Sequence, residues 1–185
     1  MKKWKTLDSK LVLDEKFMKV KKERVKTSDG TEISWIYIDS KDAVVVVPVT
    51  PDGKVIAIRQ YRHTIRDFAL EVPAGLTAPG ERPEHCARRE VSEETGYKTD
   101  ELVKLGELYE AYSQNNRKMH VFLARVSSKG KKNLDRGGGL FEEIETVEMP
   151  FEKILSEITR STTSAIFPAA LFMLKQRIEE GEVGI

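Results

Sequence analysis

The chain reads as an α/β (α+β) protein, a mixed sheet layered with helices behind an N-terminal β ribbon. Three observations carry this reading. β-Branched runs recur along the chain, the longest apolar one being Ala43-Val-Val-Val-Val47. Residues 83–96 start at a proline and stop at a glycine, the punctuation of a helix. Residues 151–158 and 165–178 also have helical period and composition. Strand runs interleaved with helices imply stacked layers around a core.

In order, residues 17–26 mix Phe17, Met18, Val20 and Val25 with basic positions, and Ser28-Asp29-Gly30 marks a turn. Residues 32–39, with Ile33, Trp35, Ile36, Tyr37 and Ile38, are β-rich. These two runs are expected to form a hairpin or ribbon. Residues 43–49, a Thr50-Pro-Asp-Gly53 turn and residues 54–61 predict a second hairpin. Residues 68–73 predict a short strand leading into Gly75. The helix that follows has Pro83 in its first turn and Gly96 past its end, but Arg82 is a poor N-cap. Residues 102–112, 119–126 and 141–148 predict further strands, and residues 129–139 a mobile loop rich in glycine and lysine.

At 185 residues the chain suits one domain with a small appendage. It is 39% hydrophobic and 33% charged with a formal net charge of +1, so no global field draws it to nucleic acid or membrane. Its longest apolar run is too short to span a bilayer. The basic N-terminus has no following apolar stretch of the kind a secretory signal carries, and a single cysteine, Cys86, excludes an internal disulfide framework. A cytoplasmic protein is expected. Lys19, Lys21, Lys22 and Arg24 are interrupted by Glu23 without interleaved aromatics, so they read as a solvated strand face rather than a nucleic-acid surface.

The chemistry concentrates in residues 75–97. Glu90, Glu93 and Glu94 stand at i, i+3 and i+4, which puts three carboxylates on one arc of a helix. Such a face costs stability unless a cation lies against it, and hard oxygens suit Mg²⁺, with Mn²⁺ as the alternative. An ion held by few protein ligands usually grips phosphate oxygens. Cys86 lies among small residues of the same helix and reads as core, and His63, His85 and His120 are too scattered to form a metal set.

The pattern Gly75, Glu81, Arg89-Glu90-Val91, Glu93-Glu94, Gly96-Tyr97 matches every position of the Nudix box. The chain therefore resembles the Nudix hydrolases, which cleave a nucleoside diphosphate linked to another moiety. Gln60-Tyr61-Arg62, residues 70–75 and Phe141-Glu-Glu-Ile144 are similar to segments of the ADP-ribose pyrophosphatase branch, which covers nucleoside diphosphate sugar hydrolases. The resemblance implies an α/β/α sandwich spanning residues 41–185, with residues 1–40 as a ribbon that pairs two subunits in a homodimer. It implies a Mg²⁺-dependent pyrophosphohydrolase that releases a nucleoside monophosphate and a sugar phosphate, from ADP-ribose or a relative such as GDP-mannose.

By position, Glu90 and Glu94 would be the main metal ligands. Glu93 would be a further ligand or its partner, and the carbonyl of Ala74 would complete the set. Glu81 and Arg89 would form a charged pair bracing loop against helix. Arg59, Arg62 and Arg66, placed along the strand before the box, are the candidates for substrate phosphates, Arg62 foremost. Glu142 is the expected general base, with Glu143 the runner-up. Trp35 is the expected base-stacking residue, with packing inside the ribbon or in the dimer interface as the alternative. The chain departs from ADP-ribose-cleaving members at Ala111-Tyr112-Ser113, where a proline-containing turn would stand. Hydrolysis of dinucleoside polyphosphates or nucleotide cofactors, and nucleotide-sugar sensing without cleavage, are the other readings.

Overall fold

The computed structural model of the protein describes residues 2–130 and 143–185. It divides into two compact units, one made of Met1–Asp42 with Tyr109–Lys118 and the other of Ala43–Leu108 with Met119–Ile185.

The first unit is built on an antiparallel sheet of β1 (Lys5–Glu15), β2 (Met18–Lys26) and β3 (Glu32–Ile38), in that order. Strand β1 lies within the residues 1–40 expected as a ribbon, but it was not among the predicted strand runs, the first of which began at residue 17. Its apolar residues are few, and register shifts at Thr6/Asp8 and Leu11/Leu13 interrupt the two-residue alternation that betrays a strand. The basic residues of β2 are matched with acids: Lys19 with Asp14 (2.6 Å), Lys21 with Asp39 (2.8 Å) and Arg24 with Asp8 (2.9 Å). The 109–118 segment ties off the end of β3. Ile38 N–H donates to the Gln114 carbonyl (2.8 Å), and Ser40 N–H to Asn116 Oδ1 (2.7 Å).

The second unit is a layered α/β body. In chain order it holds β4 (Ala43–Val49), β5 (Lys54–Arg62), β6 (Asp67–Glu71), β7 (Ala74–Leu76), α1 (Pro83–Thr95), β8 (Tyr97–Tyr109), β9 (Lys118–Lys129), β10 (Ile144–Pro150), α2 (Phe151–Glu157) and α3 (Ile166–Glu179). The sheet runs β10-β5-β4-β9-β8, with β6 on β5 and β7 on β4. Strand β4 pairs parallel with β9 and antiparallel with β5 and β7, so the sheet is mixed as expected. Every residue of β4 is buried, which is why it reads as a continuous apolar run rather than an alternating one.

Alternation on the strands divides the core in two. Val44, Val46, Ile56, Phe122 and Ala124 pack with Cys86, Ala87 and Val91 of α1. Val45, Val47, Ala57, Val121 and Leu123 pack with Phe151 and Ile154 of α2 and Phe167, Leu171 and Leu174 of α3. This is the α/β/α sandwich. Strand β8 begins at Tyr97, directly after the helix, five residues earlier than expected, because Lys98, Asp100 and Glu101 disguise a strand whose alternate residues Tyr97 and Thr99 are buried. The three-residue β7 lay outside the expectation. Among the described residues no helix is long and apolar enough to cross a membrane.

Phe167 is fully buried at the start of α3. Phe167→Ala is expected to cost about 3–5 kcal/mol in a urea denaturation series. A loss below about 1 kcal/mol would show that α3 does not anchor this face of the sheet.

Candidate active site

Strand β4 brings the site together. Its Val44 and Val45 pair with Gly75 and Ala74 of β7, setting the glycine beneath α1. A Cβ on Gly75 would lie 2.1 Å from the Glu90 carboxyl carbon, closer than atoms approach, so only glycine lets this carboxylate settle against the strand. Glu90 and Glu94 are 9% and 5% exposed, deep for charged groups on a helix. They share the inner arc of α1 with Cys86, Ala87 and Val91.

Helix α1 starts without a side-chain cap at Arg82, with Pro83 in its first turn, and ends on Gly96 in the left-handed region at φ 77°. The loop before it is closed by Glu81, whose carboxylate accepts from Ala78 N–H (2.8 Å) and receives the fork of Arg89 through Nε (2.9 Å) and Nη2 (3.0 Å). Arg89 and Glu81 thus form the expected brace. Arg89 also does something the sequence reading left out. Its Nη1 donates to Glu90 Oε1 (2.6 Å) and Glu93 Oε2 (3.0 Å), so the cation lying against the acidic arc comes in part from the chain itself. Its Nη2 reaches the Leu76 carbonyl (3.3 Å) as well. The Arg89 fork holds the Glu81 carboxyl well below its usual range, at about 2, and Glu81 in turn raises the affinity of Arg89 for its proton. Burial pushes the Cys86 thiol up to about 12, so it stays protonated and its place is in the core.

As the side chains stand, no group of three or more His, Cys, Asp or Glu among the described residues is gathered around one point as a metal cage. The donor chemistry nonetheless fits a hard divalent ion. The available groups are all oxygens, two of the carboxylates are buried, and the glycine cradle under Glu90 is a feature that a solvated helix face would not need.

The three arginines fare differently. Residues three apart on a strand point to opposite faces. Arg62 follows Ile56, Ile58 and Gln60 onto the α1 side, whereas Arg59 follows Val55 and Ala57 onto the α2/α3 side, 3.8 Å from Glu145. Arg66 is not on the strand, which ends at Arg62. It sits in the turn to β6 with φ 55°, its N–H donating to the Arg62 carbonyl (2.9 Å). The geometry therefore does not bring the three together. Arg62 itself forks onto Glu71 through Nε (2.8 Å) and Nη2 (2.5 Å). Sequence reasoning passed over Glu71, although a carboxylate between Leu70 and Val72 on a buried strand signals a partner cation.

Glu142 lies outside the described residues. Glu143 is exposed just before Ile144, which pairs with Gln60 on β5. Trp35 is half-exposed within the first unit and meets Trp4 edge-on, with ring centroids 5.9 Å apart.

A family model described as NUDIX domain matches residues 39–169. The chain is 32% identical over 153 residues to ADP-ribose pyrophosphatase of Bacillus subtilis (strain 168), covering 82% of this chain and 80% of that protein. It is 34% identical over 130 residues to GDP-mannose pyrophosphatase of Escherichia coli (strain K12), covering 66% of each. A solved structure described as ADP compounds hydrolase superposes with a TM-score of 0.83 at 24% identity, covering 99% of this chain and 98% of that one, which shows a shared fold.

The brace also sets an acid limit. Glu81 has a folded pKa of about 2 against an ordinary 4.5, so its contribution to stability is complete above about pH 4.5 and is lost as pH falls towards 2. Glu81→Gln should lower stability at neutral pH and flatten the acid limb of a thermal-melt series. An unchanged acid limb would show that the Arg89 fork does not couple to folding.

Proposed function

Since the chain belongs to the Nudix hydrolase family, we propose that it is a Mg²⁺-dependent pyrophosphohydrolase of nucleoside diphosphate sugars, releasing a nucleoside monophosphate and a sugar phosphate. The observation that carries this reading is the buried acidic arc of α1 seated on Gly75. Glu90 and Glu94 would hold the ion with the Ala74 carbonyl, and Glu93 would join or support them. When bound, the ion neutralises the diphosphate and lowers the pKa of the attacking water.

The chain's own residues do the rest. Gly75 admits the Glu90 carboxylate, and the loop-to-helix brace of Glu81 and Arg89 fixes the arc from which it projects. Arg62, oriented by its fork to Glu71, is the arginine placed on the side of α1 and the one we assign to substrate phosphate. The proton of the attacking water goes to a carboxylate of the 142–143 pair, Glu142 in this reading. The names of the relatives favour ADP-ribose and GDP-mannose as first substrates to test.

The ribbon supports a homodimer as its working form. Trp35 and Ile36 of β3, with Trp4 before β1 and Phe17 in the turn before β2, are all exposed, leaving apolar groups on both sides of this small unit for a partner to cover. Light scattering should return twice the chain mass, and a monomer at micromolar concentration would refute this part.

With Mg²⁺, ADP-ribose should yield AMP and ribose phosphate, and GDP-mannose should yield GMP and mannose phosphate, separated by ion-exchange chromatography. Glu94→Gln should lower kcat/KM at least about a hundredfold while the variant still folds, with a melting temperature no lower than that of the unaltered chain. Absence of turnover on both nucleotide sugars, or full activity of Glu94→Gln, would overturn the reading.

A further inference from the structure

We propose that Arg89 competes with the divalent ion for the acidic arc and so sets how tightly this chain holds its metal. The inference rests on the reading that Glu90, Glu93 and Glu94 are the metal-binding carboxylates. The geometry divides the guanidinium into two working edges. Nε and Nη2 form a fork on Glu81, 2.9 and 3.0 Å long, and Nη2 adds the Leu76 carbonyl at 3.3 Å. The remaining nitrogen, Nη1, donates to Glu90 at 2.6 Å and Glu93 at 3.0 Å. The fork is a fixed anchor between loop and helix. The Nη1 contacts are made to oxygens that an ion would claim, and they can be surrendered without breaking the fork.

All four side chains are largely withdrawn from water, Arg89 at 34% exposed and Glu81, Glu90 and Glu93 at 16%, 11% and 15%. Water screens their mutual attraction only in part. An ion arriving at Glu90 meets a positive charge already in hydrogen-bonding contact with that carboxylate, and part of its binding energy goes to displacing or repelling it. Arg89 is thus a positioning residue with two opposed effects. It orders the arc through Glu81, and it lowers the arc's affinity for cations through Nη1. A brace alone would have only the first effect, so the two accounts differ in the sign of one measurement.

That measurement is Mn²⁺ binding without substrate, followed by loss of the free-ion electron paramagnetic resonance signal, on the full chain and on Arg89→Gln and Arg89→Lys. Arg89→Gln should melt at lower temperature yet bind Mn²⁺ about five- to tenfold more tightly. Arg89→Lys keeps a charge but loses the fixed Nη1 contacts, so its Mn²⁺ affinity should lie between those of the unaltered chain and Arg89→Gln. If Arg89→Gln does not fold, the lysine variant carries the comparison. Equal or weaker Mn²⁺ binding by the folded variants would overturn the competition while leaving the metal reading intact. Failure of the unaltered chain to bind Mn²⁺ would overturn both.

Discussion

Carboxylate crowding at the junction of β7 and α1 is the constraint around which the rest of the second unit is arranged. Glu81, Glu90 and Glu93 converge on Arg89, and Glu94 lies one turn beyond Glu90 on the buried side of the helix. Two unit charges 4 Å apart repel by about 4 kcal/mol at the effective dielectric of a protein surface. Arg89 carries one positive charge against the three carboxylates it touches, so it does not neutralise them by itself. A chain whose only concern was stability would replace such residues, as buried charge is weak evidence for a stabilising role. Their presence next to a glycine whose missing Cβ makes room for one of them is what the proposed cation site would account for.

The fold serves this junction. Strand β4, buried along its whole length, presents Val44 and Val45 to β7 and so places Gly75 and Ala74 under the helix. The apolar side of α1, through Cys86, Ala87 and Val91, clamps it onto the sheet, while α2 and α3 cover the opposite face. The helix ends at Gly96 and the chain passes directly into β8, where Tyr97 donates to Glu148 of β10 (2.7 Å). Burial and that contact raise the tyrosine to about 12, so the tie persists across the neutral range. The acidic arc is held at both ends, by the Arg89 fork before it and by Tyr97 after it.

Much of this was legible in the residues. Helical spacing alone puts Glu90, Glu93 and Glu94 together, and Pro83 and Gly96 bound the helix at the observed ends. What escaped has physical causes. Strand β1 has bulges in place of clean alternation, and the start of β8 hides behind charged residues on its exposed side. The three arginines were grouped by proximity in sequence, but a two-residue period sends Arg59 and Arg62 to opposite faces, and a tight turn removes Arg66 from the strand. Glu71 and the Nη1 contacts of Arg89 are tertiary facts. They depend on which strand lies beside which and on where a long side chain ends, neither of which a linear pattern records.

The central claim is that the inner arc of α1 holds the ion that presents a diphosphate to water. It is tested most directly by crystals grown with Mn²⁺ and a non-hydrolysable ADP-ribose analogue, with diffraction recorded at the manganese edge. The expected result is an anomalous peak within coordination distance of the Glu90 and Glu94 carboxylates, beside the bound diphosphate. A diphosphate bound away from these side chains, or manganese density elsewhere in the molecule with the arc left to Arg89, would contradict it.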